Sequence, residues 1–409
     1  MYISVTRRHS YVLPRVNSYV FEGEIVSCDR AVQKNVWLSS WVLSVSLLGD
    51  ALLYIVLPIN AGAFGISIAT VGFLLAVNRI IRTFTYNLVV NFGQAVGPKK
   101  LAITAACTAV VSTFGYAIFE GVFLLSLSRI IWGLSYAGLL IVTLHFASLN
   151  SAKTGTRIGL SRSVEQVGPL VAMLVGAWLV TSVGPRDIFL YMGLASALGI
   201  LLAVFIVDIN DARNLQNKPE KNFSIPLPKS IDTLIFWTGF GIDGVFTVTI
   251  VLMWAEVSGP QLAMIIGASI LAIRRLSEMI LGPLSGQISD RFGNGLPLTV
   301  TLVLCAAGFC LIGFGALFMG CVLLVLCRGA LGTLFPAAAS KLYPEQRISS
   351  LTRNQTWRDI GAAAGPFLTG VLLAVFSPED IHLMTMGCFL VALGWFFFSG
   401  DCRRLLTRF

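Results

Sequence analysis

The sequence predicts an all-α integral membrane protein with twelve spanning helices arranged as two pseudo-symmetric bundles of six. Three observations carry this reading. Only 12% of the 409 residues are charged and 56% are hydrophobic, whereas a soluble domain carries about 25% charged residues. The apolar residues form long continuous runs, unlike the alternating ~10-residue segments of a closed barrel. The basic residues gather in every second gap between those runs, which is how charges that fix membrane topology are distributed.

Residues 1–35 are polar and basic and lack an apolar h-region, so no cleavable signal peptide is expected. The first span then acts as its own insertion signal. A helix crosses the hydrocarbon core in about 20 residues, and lipid-facing backbone must be helical. The first six runs of that kind are 36–58, 69–90, 101–119, 122–148, 159–183 and 187–208. The second six are 230–257, 262–288, 296–318, 321–342, 353–376 and 381–400. Between them, residues 209–229 are polar and contain three prolines, and are expected to link bundle 36–208 to bundle 230–400. Residues 401–409 form a short tail.

With the N-terminus inside, the inner segments hold twenty Lys and Arg residues and the outer segments hold one, Arg186. That asymmetry places both ends in the cytoplasm and requires an even number of spans. Compact loops and the missing signal peptide fit a bacterial inner membrane. The net charge of +9 is dispersed over short gaps rather than gathered with aromatics in one tract, so nucleic acid is not an expected partner. The eight cysteines include no C-x-x-C pair, and the three histidines are scattered. No disulfide framework, metal site or cofactor is therefore expected. No nucleophile–base cluster suggests an enzyme, and a monomer in the lipid bilayer is expected.

The halves repeat. Arg79 precedes Gly97 by 18 residues, as Arg275 precedes Gly293. Asp50 lies midway along helix 1 and Asp243 midway along helix 7. Arg129 and Gly133 open helix 4 as Arg328 and Gly332 open helix 10. Helix 5 holds Gly168-Pro169 and helix 11 holds Gly365-Pro366. Four matches in one order imply a duplicated unit. Transporters built this way bind their substrate between the repeats, near the bilayer midplane.

One polar stretch interrupts the apolar text, GPLSGQISDRFG at Gly282 to Gly293. Its Gly286, Asp290, Arg291 and Gly293 resemble the G-x-x-x-D-R-x-G loop of the major facilitator superfamily. Arg129-x-x-x-Gly133 is similar to that family's helix 4 motif. The resemblance covers about residues 36–400. Gly286 lets a neighbouring helix approach closely. The resemblance implies that Asp290 latches onto the N-terminus of helix 11, where unpaired N–H groups and the helix dipole favour a carboxylate. It also implies that Arg291 adds a second polar link between the bundles. The equivalent first-half loop has Gln94 and Ala95 in place of Asp and Arg, so the two gates are expected to be unequal.

Three or more residues from any span's end lie eight arginines: Arg79, Arg82, Arg129, Arg162, Arg274, Arg275, Arg328 and Arg358. Five acids join them: Asp50, Glu165, Asp243, Glu278 and Asp359. An ionisable group at mid-bilayer costs at least about 2.5–3.5 kcal/mol, so these groups must face a cavity or one another. In the family, helices 1, 4, 7 and 10 line the cavity, with 2, 5, 8 and 11 beside them and the other four outside. The thirteen charges all fall on those eight helices. Arg275 and Glu278 are three apart and share a face, where they could pair.

The excess of cations points to an anionic or zwitterionic solute, with Arg79, Arg82, Arg129, Arg275 and Arg328 as candidate ligands. Guanidinium forks suit carboxylates and phosphates, and Arg79 and Arg275 are placed to grip one anion from both bundles. The competing reading is that the arginines only neutralise the acids. No P-loop is present, so transport is secondary. Asp50 and Asp243, then Glu165 and Glu278, are the candidate proton carriers. Efflux antiporters of the family carry G-x-x-x-G-P on helix 5; here the leading glycine is missing there, and the full form, Gly361-x-x-x-Gly365-Pro366, lies on helix 11. Three functions stay open: a proton-coupled transporter of a small organic anion, an exporter of drugs or of a metabolite such as a siderophore, and a transport-inactive receptor or scaffold.

Overall fold

The computed structural model describes residues 18–149, 151–209 and 225–407. The expected tail cations Arg7, Arg8, Arg15 and Arg408 lie outside these residues, as do Arg213, Lys218 and Lys221 and most of the expected 209–229 linker. Among the described residues there is no strand. In the first half, α1 spans Ser18–Ile59, α2 Ile68–Val96, α3 Pro98–Ile118 and α4 Gly121–Ser148. They are followed by α5 at Thr154–Val183 and α6 at Ile188–Val204. In the second half, α7 spans Ser230–Ser258, α8 Pro260–Phe292, α9 Gly295–Gly313 and α10 Leu317–Leu342. Next come α11 at Arg347–Leu372, α12 at Pro378–Phe398 and a short α13 at Asp401–Thr407.

Nine of these helices are long and apolar enough to cross a membrane among the described residues, and α6 is a shorter apolar helix. Apart from the short α13, the two others, α8 and α11, are 33 and 26 residues long. Charge dilutes their hydropathy, since Arg274, Arg275 and Glu278 lie in one and Arg353, Arg358 and Asp359 in the other. Helix α1 starts well ahead of the expected residue 36, because its polar lead-in has tertiary partners. Asn35 is fully buried and pairs both ways with the Val207 backbone, at 2.7 and 2.9 Å. Asp29 meets Arg157 and Lys153 at the start of α5.

Each half has its own apolar packing. One cluster gathers α7, α9, α10 and α12 around Phe246, Phe309, Leu331 and Phe389. Another gathers α1 to α4 and α6 around Tyr86, Ala106, Trp132 and Phe146, and Ala337 and Leu351 of the second half join it. The repeat is visible in the backbone. Gly97 after α2 has φ 89° and ψ 158°, and Gly293 after α8 has φ 80° and ψ 161°, a region that essentially only glycine enters. The start of α1, at Asp29, meets the start of α5, which meets the end of α8, and the start of α7 meets Asp401 after α12; this face, here the termini face, is where odd-numbered helices start and even-numbered helices end.

Candidate substrate cavity

Between the halves lies a cavity of about 500 Å³, lined only by α1, α2, α4, α5, α7, α8, α10 and α11. Its wall holds seven arginines (79, 82, 162, 274, 275, 328 and 358) and five carboxylates (50, 165, 243, 278 and 359), an excess of two cations if all are ionised. Tyr54, Tyr136, Leu47, Ile55, Met173 and Leu271 supply the apolar part of the lining. Asp243 sits inside a π-helical stretch, Gly239–Phe246. The extra residue in that turn leaves the Ile242 carbonyl to accept from the Thr247 hydroxyl at 3.0 Å. Such turns occur often at functional sites.

The carboxylates divide the arginines among themselves. Asp243 accepts from Arg328 at 2.9 Å and from Arg274 at 3.3 Å. Asp359 is 1% exposed and holds Arg82 at 3.0 Å, Arg358 at 3.1 Å and the Tyr86 hydroxyl at 2.9 Å. The Arg82 guanidinium also lies 4.4 Å from the centre of the Tyr136 ring, and stacking of this kind adds attraction. Glu165 pairs with Arg162 at 2.8 Å and accepts from Tyr136 at 3.3 Å. Glu278 is held more loosely, with Arg328 at 3.9 Å and the Gln166 amide donating at 3.1 Å.

Arg79 and Arg275 remain. Neither makes an ion pair among the described residues. Arg79 donates to the Ala362 carbonyl at 2.9 Å and Arg275 to the Gln166 amide oxygen at 3.1 Å. They occupy equivalent places on α2 and α8, and both face the cavity.

Several expected site residues sit differently. Arg129 is 1% exposed and outside the cavity lining. It pairs with Asp50 and donates to the Leu74 and Leu75 carbonyls at 3.0 and 3.1 Å. Arg275 and Glu278 do not pair directly; Gln166 of α5 joins them, because their side chains point across the seam rather than along α8. Asp290 does not meet the start of α11. It accepts from the Gly155 and Thr156 backbone at 2.9 and 2.7 Å, at the start of α5. The reason is topological: α11 belongs to the same half as α8, whereas α5 belongs to the other. Arg291 is exposed, lies 5.4 Å from the ring centre of its neighbour Phe292 and makes no ion pair among the described residues, so it is not a second link. Gly293 ends α8.

Two unlike seams join the halves. On the α5–α8 seam the backbones touch. A Cβ at Gly286 would lie 2.2 Å from the Gly155 oxygen, and one at Gly159 would lie 2.2 Å from the Gly282 oxygen. On the α2–α11 seam the contact is ionic, through Arg82, Tyr86 and Asp359. Beside it, Arg347 of α11 donates to the Ser148 carbonyl at the end of α4 at 3.0 Å. These bonds lie at the level of the cavity or between it and the termini face.

Sequence reasoning gave no role to Gln166 or Tyr86, whose neutral side chains raise no alarm in an apolar run. It also passed over Asp232, which is fully buried near the start of α7 and pairs with Arg353 of α11. The signal was present, since an acid inside a span carries the same cost as the five that were noticed. Beside that pair, burial and the neighbouring Asp401 push the Tyr343 phenol up to about 12.

The sequence profile of the Major Facilitator Superfamily matches residues 40–366. Among curated proteins, Multidrug resistance protein 2 of Bacillus subtilis (strain 168) is 22% identical over 344 residues, covering 80% of this chain and 86% of that protein. Among solved structures, the human organic anion transporter MFSD10 (TETRAN) superposes with a TM-score of 0.71 at 15% identity, covering 89% of this chain and 99% of that one. The transporter FucP in the outward conformation gives a TM-score of 0.69 at 13% identity, over 89% and 98% of the two chains. A structure of the E. coli fucose:proton symporter FucP gives 0.68, also at 13% identity and over the same shares.

Proposed function

The chain belongs to the Major Facilitator Superfamily, and on that premise we propose that it is a secondary transporter moving a small organic anion by alternating access. The observation that carries this reading is the pair Arg79 and Arg275. Of the seven arginines on the cavity wall, these two have no carboxylate partner among the described residues, and they come from equivalent positions in the two halves. A guanidinium facing a cavity with only one carbonyl or amide acceptor keeps donors for a ligand, since it carries five N–H groups. Two of them, one from each half, can bind one carboxylate or phosphate and report its arrival to both bundles. The aromatic and aliphatic wall suits an apolar body on that anion. The likeness to a human organic anion transporter fits this substrate class.

The termini face is cytoplasmic, by the distribution of Lys and Arg. The bonds between the halves then seal the cytoplasmic side, and the molecule is in its outward-facing state. Coupling is to protons, through Glu278. Protonating Asp243 or Asp359 leaves two guanidiniums without their acid, and protonating Asp50 strands the buried Arg129. Of the five cavity acids, Glu278 is the one whose ionic contact is long, 3.9 Å, and it sits on the α5–α8 seam that must part.

The test is reconstitution in vesicles with a panel of organic carboxylates and phosphates, under proton and sodium gradients imposed separately. Saturable uptake of an anion that collapses in Arg79→Gln and Arg275→Gln supports the reading. Transport of cationic amphiphiles unaffected by either substitution favours a second reading, drug export, which the curated Bacillus relative supports.

A further inference from the structure

A smaller chamber of about 20 Å³ adjoins the main cavity, with room for about one water-sized group. It lies on the termini-face side. Its wall reaches Ile235 and Thr238, earlier in α7 than Asp243, and Gln355, earlier in α11 than Arg358. Arg162, Arg328 and Arg358 belong to both walls. The chamber straddles the seam, because Arg162 comes from α5 and the other residues come from the second half.

Two features make it more than a packing defect. Gln355 is 2% exposed, lines the chamber, and neither its amide oxygen nor its nitrogen has a partner. A buried amide left unpaired costs about 1–3 kcal/mol. The chamber also presents three guanidiniums against a single carboxylate, Asp243. Each of the three holds its acid through one nitrogen, Nη1 of Arg162, Nη2 of Arg358 and Nε of Arg328, which leaves further N–H groups for a ligand.

We propose that this chamber is an inner anion subsite, which receives the anionic group of the substrate as the termini face opens. The proposal rests on the anion-transport reading above. Separating α5 from the second half enlarges the chamber, because its wall is divided along that seam. The anion then passes from Arg79 and Arg275 to Arg162 and Arg358, and the Gln355 amide finds its partner in the carboxylate or phosphate.

Thiol labelling tests this without knowledge of the substrate. Gln355→Cys, and Thr238→Cys as a second reporter should the first fail to insert, are prepared with and without Asp290→Asn. Each is treated from either face of oriented vesicles with two methanethiosulfonates, one bearing an anionic sulfonatoethyl group and one a cationic trimethylammonioethyl group. Modification is read by mass spectrometry of the reporter peptide, so that native cysteines do not interfere. The expected result is labelling from the termini face, accelerated by Asp290→Asn, with the sulfonate reacting about tenfold faster or more than the cation. Equal rates, a faster cation, or no labelling of either reporter from the termini face overturns the subsite. If that occurs while Arg79→Gln still abolishes uptake of an organic carboxylate, only the subsite is wrong. If Arg79→Gln also leaves that uptake intact, the anion reading falls with it.

Discussion

At the scale of single residues, the cavity is a problem in partner assignment. Asp243 and Asp359 each hold two arginines, and Glu165 holds one. Arg79 and Arg275 are left facing open space. A hydrogen bond to a charged group contributes about 1.5–3 kcal/mol, and each 1.4 kcal/mol is about tenfold in affinity. Arg79→Gln or Arg275→Gln is therefore expected to weaken anion binding roughly 10- to 100-fold, measured by equilibrium binding on purified protein. Thermal unfolding should change less than when an ion-paired arginine is removed, since neither arginine is in direct contact with a carboxylate among the described residues; a collapse in stability would assign them to scaffolding instead. Glu278→Gln is expected to abolish proton-driven accumulation and to leave anion exchange across the membrane intact. Accumulation that survives in this variant removes Glu278 from the coupling step.

At the scale of elements, α5 and α8 form a gate through the absence of side chains. Gly155 and Gly159 face Gly282 and Gly286 at backbone contact, and Asp290 closes the end of the groove on two α5 amides. Overpacking a close contact costs about 1–3 kcal/mol, and here the cost falls on the closed state alone. Gly286→Val is expected to shift the population toward the state open at the termini face by roughly 10- to 100-fold. The readout is alkylation of Cys reporters on that face. Asp290→Asn keeps one acceptor oxygen and loses the charge, so its shift should run in the same direction and be smaller. Unchanged accessibility in both variants would mean that this groove does not gate. The first half lacks this latch, as Gln94 and Ala95 foreshadow. Its helix α2 meets α11 through ions, with the carboxylate on the opposite partner.

At the scale of the whole molecule, the halves are held by one seam of backbone contact and one of buried charge. The second seam is the more fragile to substitution. Removing one member of a buried ion pair costs about 3–5 kcal/mol, so Asp359→Asn, which strands Arg82 and Arg358, should markedly lower the unfolding temperature in detergent. Adding Arg82→Gln should recover part of the loss; no recovery would argue against that pairing. Much of this architecture was legible in advance. The long apolar runs and the duplicated Arg79–Gly97 and Arg275–Gly293 spacing gave the spanning helices and the repeat. The eight helices carrying in-span charge are the eight that line the cavity. The family resemblance points the latch to α11, but a latch within one half cannot hold two halves together, and Gln166 carries no charge to mark it in the sequence. What the sequence by itself determined is which segments enter the hydrocarbon and which helices turn a charged face inward. Lipid solvates neither bare backbone nor isolated charge, and both demands act locally along the chain. Only the tertiary structure decided which cation meets which anion. Partners such as Tyr86 and Asp359 are 273 residues apart, and a distance of 3 Å between them is a property of how helices pack.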